Sequence, residues 1–319
     1  MSKKKRRMSK RLYRALLILL FLVGLAVAVY PTASDIYGKA RDSQLMAKYS
    51  DAVESMSGKE IAKELEAARQ YNTELLNQGF PAVTEAQYKK NISDEEQARY
   101  ESLLDMSSGG IMGKLDIPKI AVSLPLYHYS SDNVLNKGVG HIHGSSLPVG
   151  GKGTHSVLIA HRGLPSSKLF SDLPEVDLGD KFYIHVYGET LAYEVDTIET
   201  VYPSDVDKLT IDKDRDQVTL VTCTPYAVNT YRLLVTGHRV DYEGEDTTGT
   251  VLDKIWYSVD KKTVLGFGIL GFMMFVTIVM SKSKKKRKAR EKAKKAMSEA
   301  QASKENVTES PPADSDRED

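Results

Sequence analysis

The chain contains a single cysteine, Cys223, nine residues before Arg232 in the segment Thr-Leu-Val-Thr-Cys-Thr-Pro-Tyr-Ala-Val-Asn-Thr-Tyr-Arg. A lone thiol cannot form a disulfide within its own chain. It is therefore either a buried apolar side chain, the usual place of a free cysteine, or a reagent. The residues around it favour the reagent.

Cys223 and Arg232 are predicted to lie on two neighbouring strands. Residues 217–223 and 231–240 are rich in β-branched and aromatic side chains, which are typical of strands. The residues between them include proline and asparagine, which are typical of a loop. An antiparallel pair joined by this loop places a guanidinium beside a thiol at one rim of a sheet. That cation favours the thiolate and can hold a carbonyl oxygen as it gains negative charge.

Acyl transfer from a thiolate also requires a proton donor for the leaving amine. His161 is the best-placed histidine, because it directly follows a short apolar strand predicted over residues 156–160. A histidine at the exit of a strand is accessible at the rim of the sheet. Other histidines begin or lie within predicted strands, or stand beside aromatic residues: His128, His155, His185 and His238.

These residues resemble a known signature. Thr219-Leu-Val-Thr-Cys223, with Arg232 downstream, is similar to the sortase motif Thr-Leu-x-Thr-Cys followed by an arginine. Three longer stretches resemble the class C, pilus-assembling branch of that family: Gly140-His-Ile-His-Gly-Ser-Ser-Leu-Pro148, Thr154-His-Ser-Val-Leu-Ile-Ala-His-Arg-Gly-Leu-Pro165 and the run from Cys223 to Arg239. The resemblance covers residues 111–240.

The resemblance implies a cysteine transpeptidase on a Gram-positive surface. By position, Cys223 is the nucleophile, His161 the general acid/base and Arg232 the transition-state stabiliser. The implied reaction cleaves an LPXTG-like sorting signal between threonine and glycine through a thioester, and passes the acyl group to a lysine of the next pilin, without a metal or other cofactor. A cell-wall anchoring sortase is the alternative within the family.

One feature of class C sortases is missing from the sequence. These enzymes usually carry an N-terminal lid with an Asp-Pro-aromatic motif, and no Asp-Pro pair occurs in this chain. A lid would lie within residues 91–108, where Asp94 and Tyr100 are the candidate substitutes. The sequence leaves autoinhibition by a lid open.

Charge and hydropathy indicate a chain that crosses a membrane twice. Residues 15–30 and 263–280 are uncharged runs of sixteen and eighteen residues, close to the roughly 17–25 that a spanning helix needs. Basic residues flank both segments on their outer sides, which predicts two cytoplasmic termini and an extracellular middle. That middle is acidic, so nucleic-acid binding is not expected. For residues 15–30, a cleaved signal peptide is the alternative.

The predicted organisation follows the chain in order: a cytoplasmic basic N-terminus at 1–14, a span or signal anchor at 15–30, an extracellular helical arm and possible lid region at 31–108, a catalytic β-barrel at 109–243, a linker at 244–262, a second transmembrane helix at 263–280, and a basic, then disordered, cytoplasmic tail at 281–319. Within the arm, residues 35–55 and 59–76 have apolar residues at helical spacing. This segment either packs on the barrel, which we favour, or is a spacer.

The predicted fold is mainly β. Short β-rich runs separated by glycine and proline predict seven or eight strands, in a sandwich or a barrel: 111–117, 120–126, 156–160, 181–187, 191–201, 217–223 and 231–240. The sortase resemblance favours a closed eight-stranded barrel with an N-terminal helical arm and two flanking transmembrane helices.

The sequence offers three other functions. Histidines 141, 143, 155 and 161 suggest a metal site, but no carboxylate or second thiol accompanies them, so no metal is expected and His141 is placed at the active-site rim. A papain-like protease has its cysteine before its histidine, the reverse of the order here. An anchored surface-binding protein remains the non-enzyme alternative, although the chain lacks the sorting pentapeptide of sortase substrates.

Overall fold

The computed structural model describes residues 10–78, 90–106, 109–164 and 166–244, and single positions between 266 and 297. Two compact units divide the chain, Met1–Thr263 and Val264–Asp319. The barrel and its helices belong to the first unit. The predicted linker, second span and tail fall largely outside the described residues.

Four α-helices are described: α1 at Lys10–Ser55, α2 at Gly58–Gln78, α3 at Asp94–Ser102 and the short α4 at Asp132–Leu135. The break before α2 is fixed by side chains. The backbone N–H of Ser57 donates to the carboxylate of Glu60, and the N–H of Glu60 donates to the Ser57 hydroxyl. This reciprocal capping satisfies two donors that a helix start leaves unpaired.

Eight strands form one closed barrel: β1 at Ile111–Ile117, β2 at Val122–His128, β3 at Val139–His141, β4 at Thr154–Ile159, β5 at Lys181–Val186, β6 at Glu189–Val201, β7 at Asp216–Thr224 and β8 at Tyr231–Val240. Around the barrel their order is β1, β2, β3, β4, β7, β8, β6, β5. The β2–β3 and β4–β7 pairs are parallel, and the other pairs are antiparallel. The predicted closed, mainly β barrel is confirmed.

Strand directions define two ends of the barrel. We call the end at which β1, β4, β6 and β7 finish the upper end, and the opposite end, where β2 and β3 finish, the lower end. The strand predicted at 120–126 begins later, because Pro118–Ile120 forms a turn of 3-10 helix. The three-residue β3 is absent from the sequence prediction.

The helical arm packs on the barrel. In α1, the Tyr49 hydroxyl donates to the carbonyl of Met112 and accepts the N–H of Tyr187, at the lower end. In α2, the buried Asn72 amide pairs with both the N–H and the carbonyl of Leu147. The spacer interpretation is therefore wrong, and the packed arm is confirmed.

Apolar side chains pack on both the inner and the outer face of the barrel wall. On β7, Val218 and Leu220 belong to the main core inside the barrel, whereas Val221 packs on the outer side with Val157 and Leu234. Alternate residues of a strand point to opposite faces. Odd-numbered residues of β7 therefore face outward, and this alternation sets the position of Cys223.

Candidate functional site

Three adjacent strands bring the predicted site residues together. Cys223 on β7 is directly opposite Arg232 on β8. On the other side, β4 runs parallel to β7 with Ile159 level with Val221, and the N–H of Ala160 donates to the Val221 carbonyl. His161 follows, level with Cys223. Neighbouring strands lie about 4.8 Å apart, so the histidine, cysteine and arginine form a row across the upper end.

Cys223 and Arg232 belong to the outward face of the wall, and His161 directly follows the strand that lies beside them. Cys223 is two residues beyond the outward Val221, and Arg232 is two residues before the outward Leu234. His161 follows Ile159 at the same interval, and Ile159 packs on that outer cluster. Period-two alternation thus places Cys223 and Arg232 on one face, and His161 lies two residues past the outward Ile159. Each of the three residues is half-buried and therefore accessible to a substrate.

The β7–β8 loop holds the arginine in place. The Nη1 atom of Arg232 donates to the carbonyls of Asn229 and Tyr231, each at 3.2 Å. Asn229 has a φ of 64°, a left-handed conformation that asparagine tolerates better than most residues. Both contacts use the same nitrogen of the guanidinium. Because the guanidinium is planar, they also fix the direction of its remaining N–H donors.

A second arginine connects the two active-site loops, and sequence analysis missed it. Arg162 follows His161, and its Nη1 donates to the Thr224 hydroxyl at 3.0 Å. Its guanidinium also lies over the ring of Tyr226, 5.8 Å from the centroid. Burial lowers the pKa of Arg162 from its usual value. The residue after the histidine thereby ties the β4 exit to the loop that follows the cysteine.

Gly163 allows these loops to approach. Its φ is 88°, and a β-carbon there would lie 3.2 Å from the Tyr226 ring. A side chain would be strained in this left-handed conformation and would press on the aromatic ring. Its N–H donates to the hydroxyl of Ser171, which fixes the turn after the histidine. Glycine is therefore the residue that fits at position 163, because it lets the two loops approach each other.

His155, at the start of β4, positions the connection between β6 and β7. Its Nδ1 donates to the carbonyl of Thr210 at 2.8 Å, and its Nε2 accepts the hydroxyl of Thr219 at 2.7 Å. Burial lowers the pKa of this imidazole, which favours the neutral form that this pairing needs. The adjacent Leu209 packs on the outer apolar cluster. His155 thus secures one side of the surface that leads to Cys223.

The placement of His141 at the active-site rim is wrong. His141 ends β3 at the lower end and is fully buried. Its Nε2 donates to the Ser146 carbonyl, so its Nδ1 accepts the hydroxyl of Tyr100, both at 2.8 Å. Burial lowers its pKa to about 3. The ring of His143 stacks on the same tyrosine at 3.9 Å. This histidine group holds α3 on the barrel.

The two lid candidates lie away from the row of site residues. Tyr100 is buried at the lower end, where its ring packs against His128, His141 and His143. Asp94 is exposed at the first turn of the same helix. In the described part of residues 91–108, neither candidate provides a plug for the thiol.

The four histidines considered for a metal do not share a location. His155 and His161 lie at opposite ends of β4, and His141 and His143 contact Tyr100 at the lower end. Over the described stretches of the chain, no group of three or more His, Cys, Asp or Glu side chains has a geometry that could hold a metal ion.

Comparisons with known proteins agree with this geometry. The sortase domain family model matches residues 115–240. Sortase A of Bacillus anthracis is 29% identical over 130 residues, which cover 41% of this chain and 60% of that protein. Sortase D of Bacillus subtilis is 31% identical over 144 residues, which cover 45% of this chain and 68% of that protein. The match therefore spans less than two thirds of the first relative and slightly more of the second.

Solved structures cover more of the chain. Sortase C1 from Streptococcus agalactiae is 45% identical, with a TM-score of 0.58, over 62% of this chain and 98% of that one. Sortase C of Streptococcus pneumoniae is 37% identical, with a TM-score of 0.55, over 63% of this chain and 99% of that one. Its structure was described in terms of catalysis and pilin substrate specificity. The chain belongs to the sortase family of cysteine transpeptidases, and its structural neighbours place it in the class C branch.

Proposed function

We propose that this chain is a membrane-anchored class C sortase that polymerises pilins. The observation that carries the proposal is the row of His161, Cys223 and Arg232 across β4, β7 and β8, at one end of the barrel. Nucleophile, proton carrier and oxyanion donor are the three groups that acyl transfer through a thioester requires.

In the first half-reaction, the Cys223 thiolate attacks the threonine carbonyl of an LPXTG-like signal. The carbonyl oxygen gains negative charge, and Arg232 holds it by charge-assisted hydrogen bonds. The threonine–glycine C–N bond breaks as His161 donates a proton to the glycine amine. The products are a thioester on the cysteine and a free peptide that begins with glycine.

In the second half-reaction, the lysine amine of another pilin attacks the thioester carbonyl. His161, now neutral, takes the proton that the amine loses, and Arg232 again holds the oxyanion. The C–S bond breaks, the thiolate is restored and an isopeptide bond joins the two subunits. Peptide and isopeptide bonds have similar energy, so the two steps need no metal, nucleotide or redox cofactor.

Apolar residues beside the row suit the leucine and proline of such a signal. Ile159 lies two residues before His161, Val201 is directly opposite Arg232 on β6, and both are only partly buried. Leu209 borders them from the β6–β7 connection. A signal lying along this surface would bring its threonine carbonyl to the thiol at the end.

The proposed location is the cell membrane. Helix α1 contains a stretch, Ile18–Ser55, that is long and apolar enough in its N-terminal part to cross a bilayer, and the side chains of that part are exposed. Basic residues precede it. We infer two cytoplasmic termini, with the arm and the catalytic barrel of residues 109–243 on the extracellular face, anchored by the spans at 15–30 and 263–280.

The class C neighbours favour pilins over wall precursors as the acyl acceptor. The test is to incubate the protein with a pilin that carries an LPXTG-like signal and to identify the products by mass spectrometry. We expect a threonine–lysine isopeptide bond between pilin subunits, absent with Cys223→Ala. Capture only by a wall-type oligoglycine amine would support the anchoring alternative. If neither product forms although the barrel is folded, both the pilin-polymerising and the wall-anchoring functions are contradicted.

A further inference from the structure

We propose that the upper end of the barrel, which carries the site, lies against the bilayer surface, with Leu178, Tyr202 and Val228 in the interfacial region. This rests on the proposed membrane anchoring and adds the orientation of the catalytic domain. The partner of this surface is a lipid bilayer. A protein partner on the same surface is the outcome that the experiments below must exclude.

The direction of α1 fixes which end of the barrel faces the membrane. Near the middle of α1, the Asp35 carboxylate accepts the backbone N–H of Lys168 at 3.0 Å. Lys168 lies in the connection that follows His161. Fourteen residues later, Tyr49 bonds to Met112 at the lower end. That helical segment is about 21 Å long. The six residues from Met112 to Pro118 extend about 20 Å along β1, so the helix follows the wall from the upper to the lower end.

The apolar span therefore leaves the barrel at the upper end. Tyr30, the last residue of the uncharged run, is five residues before Asp35, or about 8 Å along the helix. Directly after Asp35, at the start of the docked part, Ile36 and Tyr37 are 63% and 75% exposed. Pro31 lies within the helix. A bend there would tilt the span but would not move its junction away from the upper end.

The barrel itself exposes apolar side chains at that end. Among its described residues, the large apolar side chains that are more than half exposed are Leu178, Tyr202 and Val228, at 65%, 57% and 66%. Val228 lies in the loop between β7 and β8, and Tyr202 directly follows β6. Leu178 precedes β5, which begins at the upper end because it is antiparallel to β6.

Tyr202 and Val228 flank β8 at the rim, and Leu178 lies at the start of the next strand, where the N–H of Gly179 donates to the carbonyl of Val195, seven residues before Tyr202 on β6. Single exposed apolar residues are ordinary on a protein surface. Three at the same end of the barrel, where an apolar helix departs, form a surface that a bilayer interface would cover. Tyrosine and aliphatic side chains both favour that interface. The thiol would then work beside the membrane, on substrates tethered to the same bilayer.

The orientation can be measured directly because the chain has one cysteine. In full-length Cys223→Ala protein reconstituted in liposomes, a single cysteine is introduced by Val228→Cys, by Leu178→Cys or, as a control, by Lys213→Cys. Lys213 is exposed, and its carbonyl lies near Gly153 at the lower end. Each cysteine is labelled with an environment-sensitive fluorophore and challenged with nitroxide lipids. We expect quenching at 178 and 228 several-fold stronger than at 213. Equal quenching at all three positions, or none, overturns the proposal.

A second measurement separates lipid from protein. Leu178→Glu should leave turnover of a soluble sorting-signal peptide unchanged, and should lower turnover of the same peptide tethered to the liposome by about fivefold or more. Equal losses with both substrates would mean that the rim binds the peptide, and would overturn the bilayer assignment. If the wild-type protein processes neither peptide, the proposed function is contradicted. The fluorescence measurement of orientation does not depend on that function.

Discussion

Cys223 and Arg232 lie directly opposite each other on the antiparallel strands β7 and β8. Cβ atoms of directly opposed residues are about 4.5–5.5 Å apart and on the same face, so the guanidinium is within reach of the thiol. The loop carbonyls of Asn229 and Tyr231 hold one nitrogen of Arg232. A donor fixed in advance beside the nucleophile costs no reorganisation when the oxyanion forms.

Arg232→Ala is expected to slow formation of the thioester by about 10²–10³-fold, the usual loss for one oxyanion donor. Binding of the sorting-signal peptide should change by less than about threefold, because the charge that Arg232 holds develops only in the transition state. Single-turnover acylation and equilibrium binding of the same peptide measure the two effects.

Arg69→Ala is the matched control, because Arg69 pairs with Glu189 on the surface of the arm and the barrel. It should leave both measurements unchanged. Equal losses of acylation and peptide binding in Arg232→Ala would reduce Arg232 to a docking residue.

Arg162→Lys is expected to lower kcat/KM by about tenfold with little loss of stability. A lysine cannot both reach the Thr224 hydroxyl and cover the Tyr226 ring in the planar manner of arginine. The loops that carry His161 and Cys223 would then move independently. Arg162 acts here as a positioning residue.

Thr224→Val tests the same contact from the other side. If the contact positions the loops, the double variant should lose little more activity than Arg162→Lys alone. Full additivity of the two losses would show that the hydroxyl and the guanidinium act separately. The pH profile of kcat should also differ between wild type and Arg162→Lys, whereas a purely structural loss would leave its shape unchanged.

Stability should fall as the pH falls below about 6.5. Burial lowers the pKa of His141 to about 3, so between these values the unfolded chain binds a proton that the folded chain does not. Protons then favour unfolding, by about 1.5 kcal/mol for this residue between pH 6.5 and 5. The lowered pKa of His155 adds a loss of the same sign.

His141→Gln should flatten this decline, because a glutamine can accept from Tyr100 and donate to Ser146 without titrating. Chemical denaturation at pH 7 and pH 5 gives the two free energies of unfolding. An unchanged slope in His141→Gln would contradict the buried neutral state.

Tyr49→Phe is expected to destabilise the domain by about 1–3 kcal/mol. The substitution keeps the ring but leaves the Met112 carbonyl and the Tyr187 N–H without their buried partner. The comparison is Tyr37→Phe, at an exposed tyrosine of the same helix. A change below roughly 0.5 kcal/mol in Tyr49→Phe, the usual range of surface substitutions, would mean that α1 is not an integral part of the fold.

The sequence predicted most of the barrel and the pairing of its last two strands. Residues 217–223 and 231–240 are joined by a short loop, so local pattern was enough to place Cys223 opposite Arg232. His161 could be placed only at a strand exit. Its alignment with Cys223 depends on the parallel pairing of β4 and β7, with β5 and β6 lying between them in the chain.

Other features depended on tertiary contacts. His141 ends a three-residue strand, too short to show a pattern, and nothing local indicates that it points to the lower end. Arg162 reads as an ordinary turn residue until Thr224 and Tyr226 are beside it. The predicted roles of His161, Cys223 and Arg232 stay predictions, as does the second span at 263–280.

The most direct measurement is the intact mass of the protein after brief incubation with an LPXTG-like peptide, followed by mapping of the modified residue. The account predicts one acyl adduct on Cys223, released by hydroxylamine, with a glycine-initiated fragment set free. It also predicts no adduct in Cys223→Ala and a slowly formed one in Arg232→Ala. Cleavage of the peptide by Cys223→Ala, or an adduct on any other side chain, would contradict it.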